Sequence, residues 1–260
     1  MSISTRKITN HYLVGEFSHT FFSAVATAGF LVIAVSAWKV LHDTSSRYAF
    51  RQTLKAGAIY MFIGLLGAMG SGHMHTQYLA EANPMKLASM EALWETEDPE
   101  PFAVYANIDE DAHKNDTELT IPSLFSFMLY NKPTGEVKGI NALQEERPDV
   151  TGLFYSFRLM VGLGGLMLLI AFVTFLVSWK KDPSDYPLLM RAIPWLFPIV
   201  FIVNSCGWYI AEGGRQPWIV VGLQKTAAAV SPNLTAGDVW ITMIGFTAVY
   251  LALAVVALML

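Results

Sequence analysis

Five long apolar stretches alternate with polar segments along the chain. They cover residues 17–41, 56–79, 154–179, 188–210 and 239–260. Each is long enough for an α-helix to cross a bilayer, which needs roughly 20 apolar residues. The second is the least uniform, because glycines and histidines between residues 70 and 75 dilute its end. The pattern predicts an all-α integral membrane protein built as a bundle of five transmembrane helices.

One large polar segment separates the second and third apolar stretches. Residues 80–153 contain 15 acidic residues and only 5 lysines or arginines, and prolines interrupt any long helix there. We therefore predict three parts along the chain. Residues 1–79 hold transmembrane helices 1 and 2, residues 80–153 form one extracytoplasmic loop, and residues 154–260 hold transmembrane helices 3 to 5.

The short loops on the opposite side of the membrane are rich in cations. These lysines and arginines follow the first and third spans: Lys39, Arg47, Arg51, Lys55, Lys180, Lys181 and Arg191. By the positive-inside rule such loops face the cytoplasm. The N-terminus and the large loop are then expected outside the membrane, and the C-terminus is expected on the cytoplasmic side.

Composition agrees with a membrane location. Hydrophobic residues make up 53% of the 260, and the mean hydropathy of +0.41 is high for a soluble domain. The first apolar stretch is too long for the core of a signal peptide, so we expect it to stay in the protein. Cys206 is the only cysteine, so no intrachain disulfide can form. No nucleic-acid partner is expected.

Polar residues inside the predicted spans are few, and three of them lie at a similar depth. His19 is about one turn into the first span, and Arg158 and Met160 are about one turn into the third. A histidine and a methionine from two helices can be the axial ligands of a low-spin haem. A lone intramembrane histidine is, however, more often a hydrogen-bonded structural residue, and a methionine more often packs. His73 and His75 are expected on the surface of a fraying helix end, with a metal site as a lesser alternative.

A carboxylate and a short helix mark the outer ends of two spans. Glu212 ends the fourth span just before two glycines and a proline, and it either pairs with Arg215 or acts as an oxygen ligand or proton carrier. Residues 84–94 predict a short amphipathic helix at the membrane surface. Lys86 and Glu91 on it form either a solvated face or a quinol site, where a cation holds the head group and a carboxylate accepts a proton.

Four segments carry a specific resemblance in one order along nearly the whole chain. They read FSHT at residues 17–20, PMKLASMEALWET at 84–96, FRLM at 157–160 and GWYIAEGGRQPW at 207–218. In order and spacing these strings resemble subunit I of cytochrome bd quinol oxidases of the short-loop type. The match is to the C-terminal half of that subunit. The N-terminal helices, which carry the histidine ligand of the oxygen-reducing haem, have no counterpart here.

The resemblance implies a role for each candidate residue. His19 and Met160 match the axial ligands of a low-spin haem b, and Arg158 matches the arginine that stabilises this haem when it is reduced. Glu212 matches the carboxylate ligand of a high-spin haem b, with Arg215 in its surroundings. Lys86 and Glu91 match residues of the external quinol site.

The resemblance also implies an activity and partners. The expected function is quinol:oxygen oxidoreduction in a bacterial or archaeal cytoplasmic membrane, with electrons passing from quinol at the outer face through haem b to the oxygen site. Haem d is possible in the full complex. Expected partners are a chain supplying the missing N-terminal half, oxidase subunit II and a small single-span subunit.

Two other functions stay open on the sequence. One is a non-catalytic haem-binding or assembly paralogue that lacks the oxygen-reducing half. The other is a transporter, which would hold no haem.

Overall fold

A computed structural model describes residues 11–143 and 145–259 of the chain. The helices are α1 (His11–His42), α2 (Arg47–Ala82), α3 (Pro84–Glu91), α4 (Leu124–Tyr130), α5 (Val150–Lys180), α6 (Pro187–Leu196), α7 (Ile199–Gly213) and α8 (Ala236–Met259). The strands are β1 (Phe102–Asp109), β2 (Lys114–Ile121), β3 (Trp218–Val220) and β4 (Gln224–Lys225). The predicted extracytoplasmic N-terminus, residues 1–10, lies outside the described residues.

Among the described residues, five helical segments are long and apolar enough to cross a membrane, which confirms the predicted five-helix class. They are Leu13–His42, Arg47–Ala82, Val150–Lys180, Pro187–Gly213 and Ala236–Ala257. The fourth segment is broken into α6 and α7, with Pro194 inside α6 and Pro198 immediately before α7. A proline lacks the N–H that a helix needs and clashes with the preceding turn, so the break follows from the sequence.

The chain divides into two compact units, of which the first ends at Arg215 and the second begins at Gln216. Within the first unit, α1 and α2 pack closely because glycines remove side-chain bulk at their contact. A Cβ on Gly29 would lie 2.5 Å from the backbone nitrogen of Met61, and one on Gly64 would lie 2.5 Å from that of Ala26. Small residues that let helix backbones approach are typical of membrane helix pairs.

The segment between α2 and α5 folds into α3, an antiparallel β1–β2 hairpin and α4. The hairpin pairs Phe102 with Ile121 at one end and Asp109 with Lys114 at the other, and an all-α class did not anticipate it. Phe125 of α4 and Phe154 of α5 are fully buried in a shared hydrophobic core. Burying one such ring contributes about 1.5–3 kcal/mol of transfer free energy, so the loop packs as a folded layer on the bundle.

Helix α2 continues as a helix to Ala82, so the fraying end expected near residues 73–75 is wrong. His73 and His75 are half-buried. Gln77 lies one turn after His73, with its amide nitrogen 3.1 Å from Nε2 of His73. A Cβ on Gly15 of α1 would lie 3.0 Å from Nδ1 of His75, which places His75 against the first span. The packing of His75 against α1 stabilises the last turns of α2, which the sequence predicted to fray.

The second unit contains a small two-stranded sheet and one long helix. Strands β3 and β4 pair antiparallel, with Trp218 opposite Lys225. The helix α8 begins after a cap in which the Asp238 carboxylate accepts hydrogen bonds from the backbone and hydroxyl of Thr235. Its apolar sequence makes it the fifth candidate span.

Candidate functional site

A buried ion pair joins the loop to the third span. The carboxylate of Glu91, at the end of α3, lies 2.6 Å from Nη2 of Arg158 on α5, and Nη1 donates to the other oxygen at 3.3 Å. The two side chains are 2% and 10% exposed, respectively. The two parallel contacts form the bidentate geometry that favours arginine over lysine.

Several groups fix the position of the Arg158 guanidinium. Its Nε donates a hydrogen bond of 2.6 Å to the carbonyl oxygen of Ala103 on β1. Its central carbon lies 4.1 Å from the ring centroid of Phe154 and 4.3 Å from that of Phe102, within the range of cation–π attraction. The hairpin therefore covers one face of the ion pair and supplies a hydrogen-bond acceptor for Nε.

Helix α3 is shaped so that its polar side chains point into the protein. The Asn83 side chain accepts a hydrogen bond from the backbone N–H of Lys86 at 3.0 Å, and Pro84 occupies the first helical position. The helix ends at Ala92, which has a φ of 54°. Lys86 and Glu91 are buried, being 5% and 2% exposed. The predicted short helix is present, and the burial of Lys86 and Glu91 excludes the alternative in which they form a solvated face.

Lys86 reaches across to the end of α7. Its Nζ donates to the carbonyl oxygen of Ala211 at 3.4 Å. A Cβ on Gly214 would lie only 2.7 Å from Cε of Lys86, so this glycine makes room for the lysine stem. Through these contacts, the candidate residue Lys86 of α3 lies next to the end of α7, which carries the candidates Glu212 and Arg215.

The pKa values of both α3 side chains depart from their ordinary ranges. Burial lowers the pKa of Lys86, while the Glu16 carboxylate opposes that shift, Arg215 adds to it and Glu212 opposes it. Burial raises the pKa of the Glu91 carboxyl, and the Arg158 guanidinium opposes that rise. A carboxylate whose pKa is raised toward neutrality is a better proton acceptor at physiological pH.

His19 is held in one tautomer by the neighbouring span. Its Nδ1 lies 2.9 Å from the carbonyl oxygen of Ala68 on α2, so Nδ1 carries the proton and Nε2 is left as an acceptor. A Cβ on Gly72 would lie 3.1 Å from two atoms of the imidazole ring. Metal-ligating histidines commonly show this arrangement, in which the second ring nitrogen donates to a backbone carbonyl.

Met160 lies on α5, facing α7. A Cβ on Gly207 would lie 3.6 Å from the Met160 sulfur. One turn further along α5, on the same face, a Cβ on Gly164 would meet no protein atom within 4 Å. The thioether is therefore half-buried beside a strip of α5 that carries no side-chain bulk.

Glu212 and Arg215 form an ion pair at the end of α7, in which the Arg215 Nη2 donates to the Glu212 carboxylate. The two side chains are 48% and 41% exposed. The helix ends at Gly213, as its two glycines and proline predicted. The pairing alternative for Glu212 is therefore present, and it does not exclude a ligand role.

The structure brings five of the seven predicted site residues into one continuous region. Helix α3 carries two of them, α5 contributes Arg158, and the α7 end contributes the exposed pair. Sequence reasoning missed Glu16 on α1, whose charge acts on Lys86. A carboxylate at a predicted span end is a weak signal that could have indicated it.

The fold and this site define a class of protein. A polytopic helix bundle carries a folded polar loop, which supplies a buried carboxylate and an ammonium, and the third span supplies the guanidinium that binds the carboxylate. Ionisable groups so placed are costly and usually mark a path for protons, ions or electrons. The class is that of membrane proteins that move charge.

The particular family follows from comparison with known proteins. Residues 3–260 match the family described as cytochrome bd terminal oxidase subunit I, and the chain belongs to that family. Cytochromes hold haem, so the family is one of haem-containing membrane oxidases assembled from more than one subunit.

Similar proteins agree with this placement. The chain is 38% identical over 260 residues to cytochrome bd ubiquinol oxidase subunit 1 of Bacillus subtilis (strain 168), covering 95% of this chain and 55% of that protein. It is 24% identical over 302 residues to cytochrome bd-II ubiquinol oxidase subunit 1 of Escherichia coli (strain K12), covering 90% of this chain and 58% of the relative.

A solved structure shows the same fold. The bd oxidase from Geobacillus thermodenitrificans matches with a TM-score of 0.84 and 27% identity, over 96% of this chain and 57% of that chain. The chain thus spans about half the length of the relatives it matches.

Proposed function

We propose that this chain forms the electron-entry part of a cytochrome bd type oxidase, which oxidises quinol at the outer membrane face and passes its electrons through haem b to an oxygen-reducing site. The observation that carries the proposal is the buried Glu91–Arg158 pair with Lys86 on the same short helix. A purely structural surface helix has no need to bury both a cation and a carboxylate, because each costs several kcal/mol to desolvate.

The chemistry of quinol oxidation matches these side chains. A quinol loses two protons and two electrons to become a quinone. The Lys86 ammonium is suited to donate a hydrogen bond to one quinol oxygen and to hold the head group. The Glu91 carboxylate is suited to accept a hydroxyl proton as the electron leaves, since burial has raised its pKa. Arg158 keeps that carboxylate oriented through its two hydrogen bonds.

The residues present also fit a haem between the first and third spans. His19 offers Nε2 because its Nδ1 donates to Ala68, and Met160 offers its sulfur beside the side-chain-free strip at Gly164. When bound, a haem with both axial positions filled supplies a one-electron acceptor. Near it, Arg158 would contribute a positive charge that favours reduction.

Glu212 is the proposed ligand of a second haem, and the support for this role is less direct. As a hard oxygen ligand at the α7 end, it would hold a high-spin haem b, with Arg215 keeping the carboxylate in place through their ion pair. Exposure of both side chains leaves this end accessible to further protein or cofactor. Haem d would belong to the full complex rather than to these residues.

The proposed setting is a multi-pass protein of a bacterial or archaeal cytoplasmic membrane, with the residue 80–153 loop outside and the C-terminus in the cytoplasm. The proposed partners are subunit II, a small single-span subunit, and the N-terminal half of subunit I or an equivalent chain. Cationic residues support this orientation at the other end of the bundle, where Lys55 lies 3.3 Å from the Trp179 ring centroid and Arg51 donates to the Lys181 carbonyl oxygen.

Reduced-minus-oxidised optical spectra of the purified oxidase complex test the haem assignment. We expect His19→Ala and Met160→Leu each to remove the low-spin haem b signal, because each deletes one axial ligand. Glu212→Ala is the matched control, since it should lower the high-spin signal and spare the low-spin one. Retention of every haem signal in all three variants would contradict the assignment. Absence of haem in the wild-type complex would favour the transporter alternative.

A further inference from the structure

The loop contains a second buried carboxyl besides that of Glu91. Glu100 is 4% exposed, and its Oε2 has no hydrogen-bond partner among the described residues. Its backbone is held on both sides by α4. The N–H donates to the Ser126 hydroxyl at 2.8 Å, and the Ser126 N–H donates to the Glu100 carbonyl oxygen at 3.3 Å. A buried polar atom without a partner is costly and calls for an explanation.

Within the part of the chain that the structure describes, the charged groups acting on this carboxyl do not neutralise it. The charges that act on it are those of Glu97, Glu118 and Glu91, all of the same sign. The Ser126 hydroxyl is already engaged, because it donates to the Gly135 carbonyl oxygen at 2.9 Å. Burial, followed by these three carboxylates, raises the pKa of Glu100 to about 8.

Three other carboxylates lie near enough to act on Glu100, and they differ in burial. Glu91 is buried, whereas Glu97 and Glu118 are exposed. Two residues after Glu100, Phe102 begins the strand that covers Arg158, so the same stretch of backbone lies next to both buried carboxyls. Glu100 thus has one buried and two exposed acidic neighbours.

We propose that Glu100 is the second proton acceptor of quinol oxidation, taking the proton from Glu91 and releasing it to water at the loop surface beside Glu97 and Glu118. The inference rests on the proposed quinol oxidation. For each proton, the quinol O–H bond breaks and a bond to a Glu91 oxygen forms. The same proton then leaves Glu91 for a Glu100 carboxylate oxygen and finally joins water. The two quinol electrons leave one at a time to the one-electron acceptor of the oxidase, which passes on the first before it takes the second. Each carboxyl returns to its starting state.

The free carboxylate form of Glu100 is the one that accepts a proton. Because its pKa is about 8, that form becomes more abundant as the pH rises through that value. The rate of quinol oxidation in the wild-type complex should therefore rise with pH near 8. The charge of Arg158 is engaged by Glu91 through two hydrogen bonds.

The test compares Glu100→Gln with wild type in the purified oxidase complex. We expect the rate of quinol oxidation to fall by about tenfold or more. This is a modest expectation, because a positioned proton acceptor typically contributes about a hundredfold or more to a rate. The rise in rate near pH 8 should disappear, and oxidation of an artificial donor that reduces the haem directly should be unchanged. Glu100→Asp should keep the rise, because it retains a carboxyl.

Two further measurements separate the relay from a structural role. Glu136→Gln, an exposed carboxyl in the same loop, is the matched control and should behave as wild type. Infrared difference spectra of the complex across the pH range should show the carbonyl band of a protonated carboxylic acid that Glu100→Gln removes. A wild-type pH profile in Glu100→Gln, or a band that persists in it, would overturn the relay. A wild-type complex with haem but no quinol oxidation would instead contradict the proposed function.

Discussion

Two of the glutamate–arginine pairs among the described residues, Glu91–Arg158 and Glu212–Arg215, differ in their surroundings. Glu91 and Arg158 come from sequence positions 67 residues apart and are 2% and 10% exposed. Glu212 and Arg215 are three residues apart on the last turn of α7 and its end, and they are 48% and 41% exposed. The same two residue types therefore form one ion pair sealed by a hairpin and another open to solvent.

This difference in burial determines how strongly each ion pair affects the stability of the protein. An exposed ion pair contributes about 0–1 kcal/mol, because water screens it and the side chains lose entropy. A buried pair costs desolvation whether or not it is useful, but removing one partner leaves an uncompensated charge. The buried pair is thus the more sensitive to substitution, and its retention in a costly position argues for a role in chemistry.

The largest expected effect is from Glu91→Ala. Leaving the Arg158 charge buried without its partner should destabilise the protein by about 3–5 kcal/mol. The measurement is the thermal unfolding midpoint of the purified complex, together with the ratio of quinol oxidation to oxidation of an artificial donor. Both should fall.

The double variant Glu91→Leu with Arg158→Met is the control for that prediction. Replacing both charges by apolar groups should recover much of the stability, yet quinol oxidation should stay low. Recovery of quinol oxidation in the double variant would show that the pair is structural only.

A smaller effect on stability is expected at Gly214, where the end of α7 contacts Lys86 of α3. Gly214→Ala puts a Cβ 2.7 Å from Cε of Lys86 and 2.7 Å from the Ile210 carbonyl oxygen, so the lysine must move. We expect a cost of about 1–3 kcal/mol in stability and a higher KM for quinol at an unchanged low-spin haem spectrum.

Gly213→Ala is the matched control for Gly214→Ala. Its Cβ would meet no atom closer than the Tyr209 ring at 3.4 Å. Equal KM values in the two variants would count against a quinol role for the Lys86 position.

The smallest effect is expected for Arg215→Ala. Losing the exposed pair should change stability by less than about 1 kcal/mol, and the thermal midpoint should respond little to added salt. The high-spin haem signal tests the same residue separately. A destabilisation as large as that of Glu91→Ala would erase the contrast between the two pairs.

The sequence predicted the membrane spans well because their signal is local. Twenty or more apolar residues identify a span without knowledge of its neighbours. The start of α3 at Pro84 and the end of α7 at Gly213 were also predicted, since each depends on a few adjacent residues.

Other features were not readable from the sequence. The β1–β2 hairpin was missed, because its strand β2 is polar and mostly exposed and gives no clear alternation. The acid-rich loop also concealed Glu100, since in sequence it is one of fifteen acids and only its burial distinguishes it.

Sequence alone determined the spans, the family resemblance and the identity of the candidate residues. Only the tertiary structure decided that Lys86 and Glu91 are buried rather than solvated, and that Arg158 binds Glu91. The physical reason is that burial depends on what covers a side chain. The covering groups here come from β1, α4 and α5, which lie far from α3 along the chain.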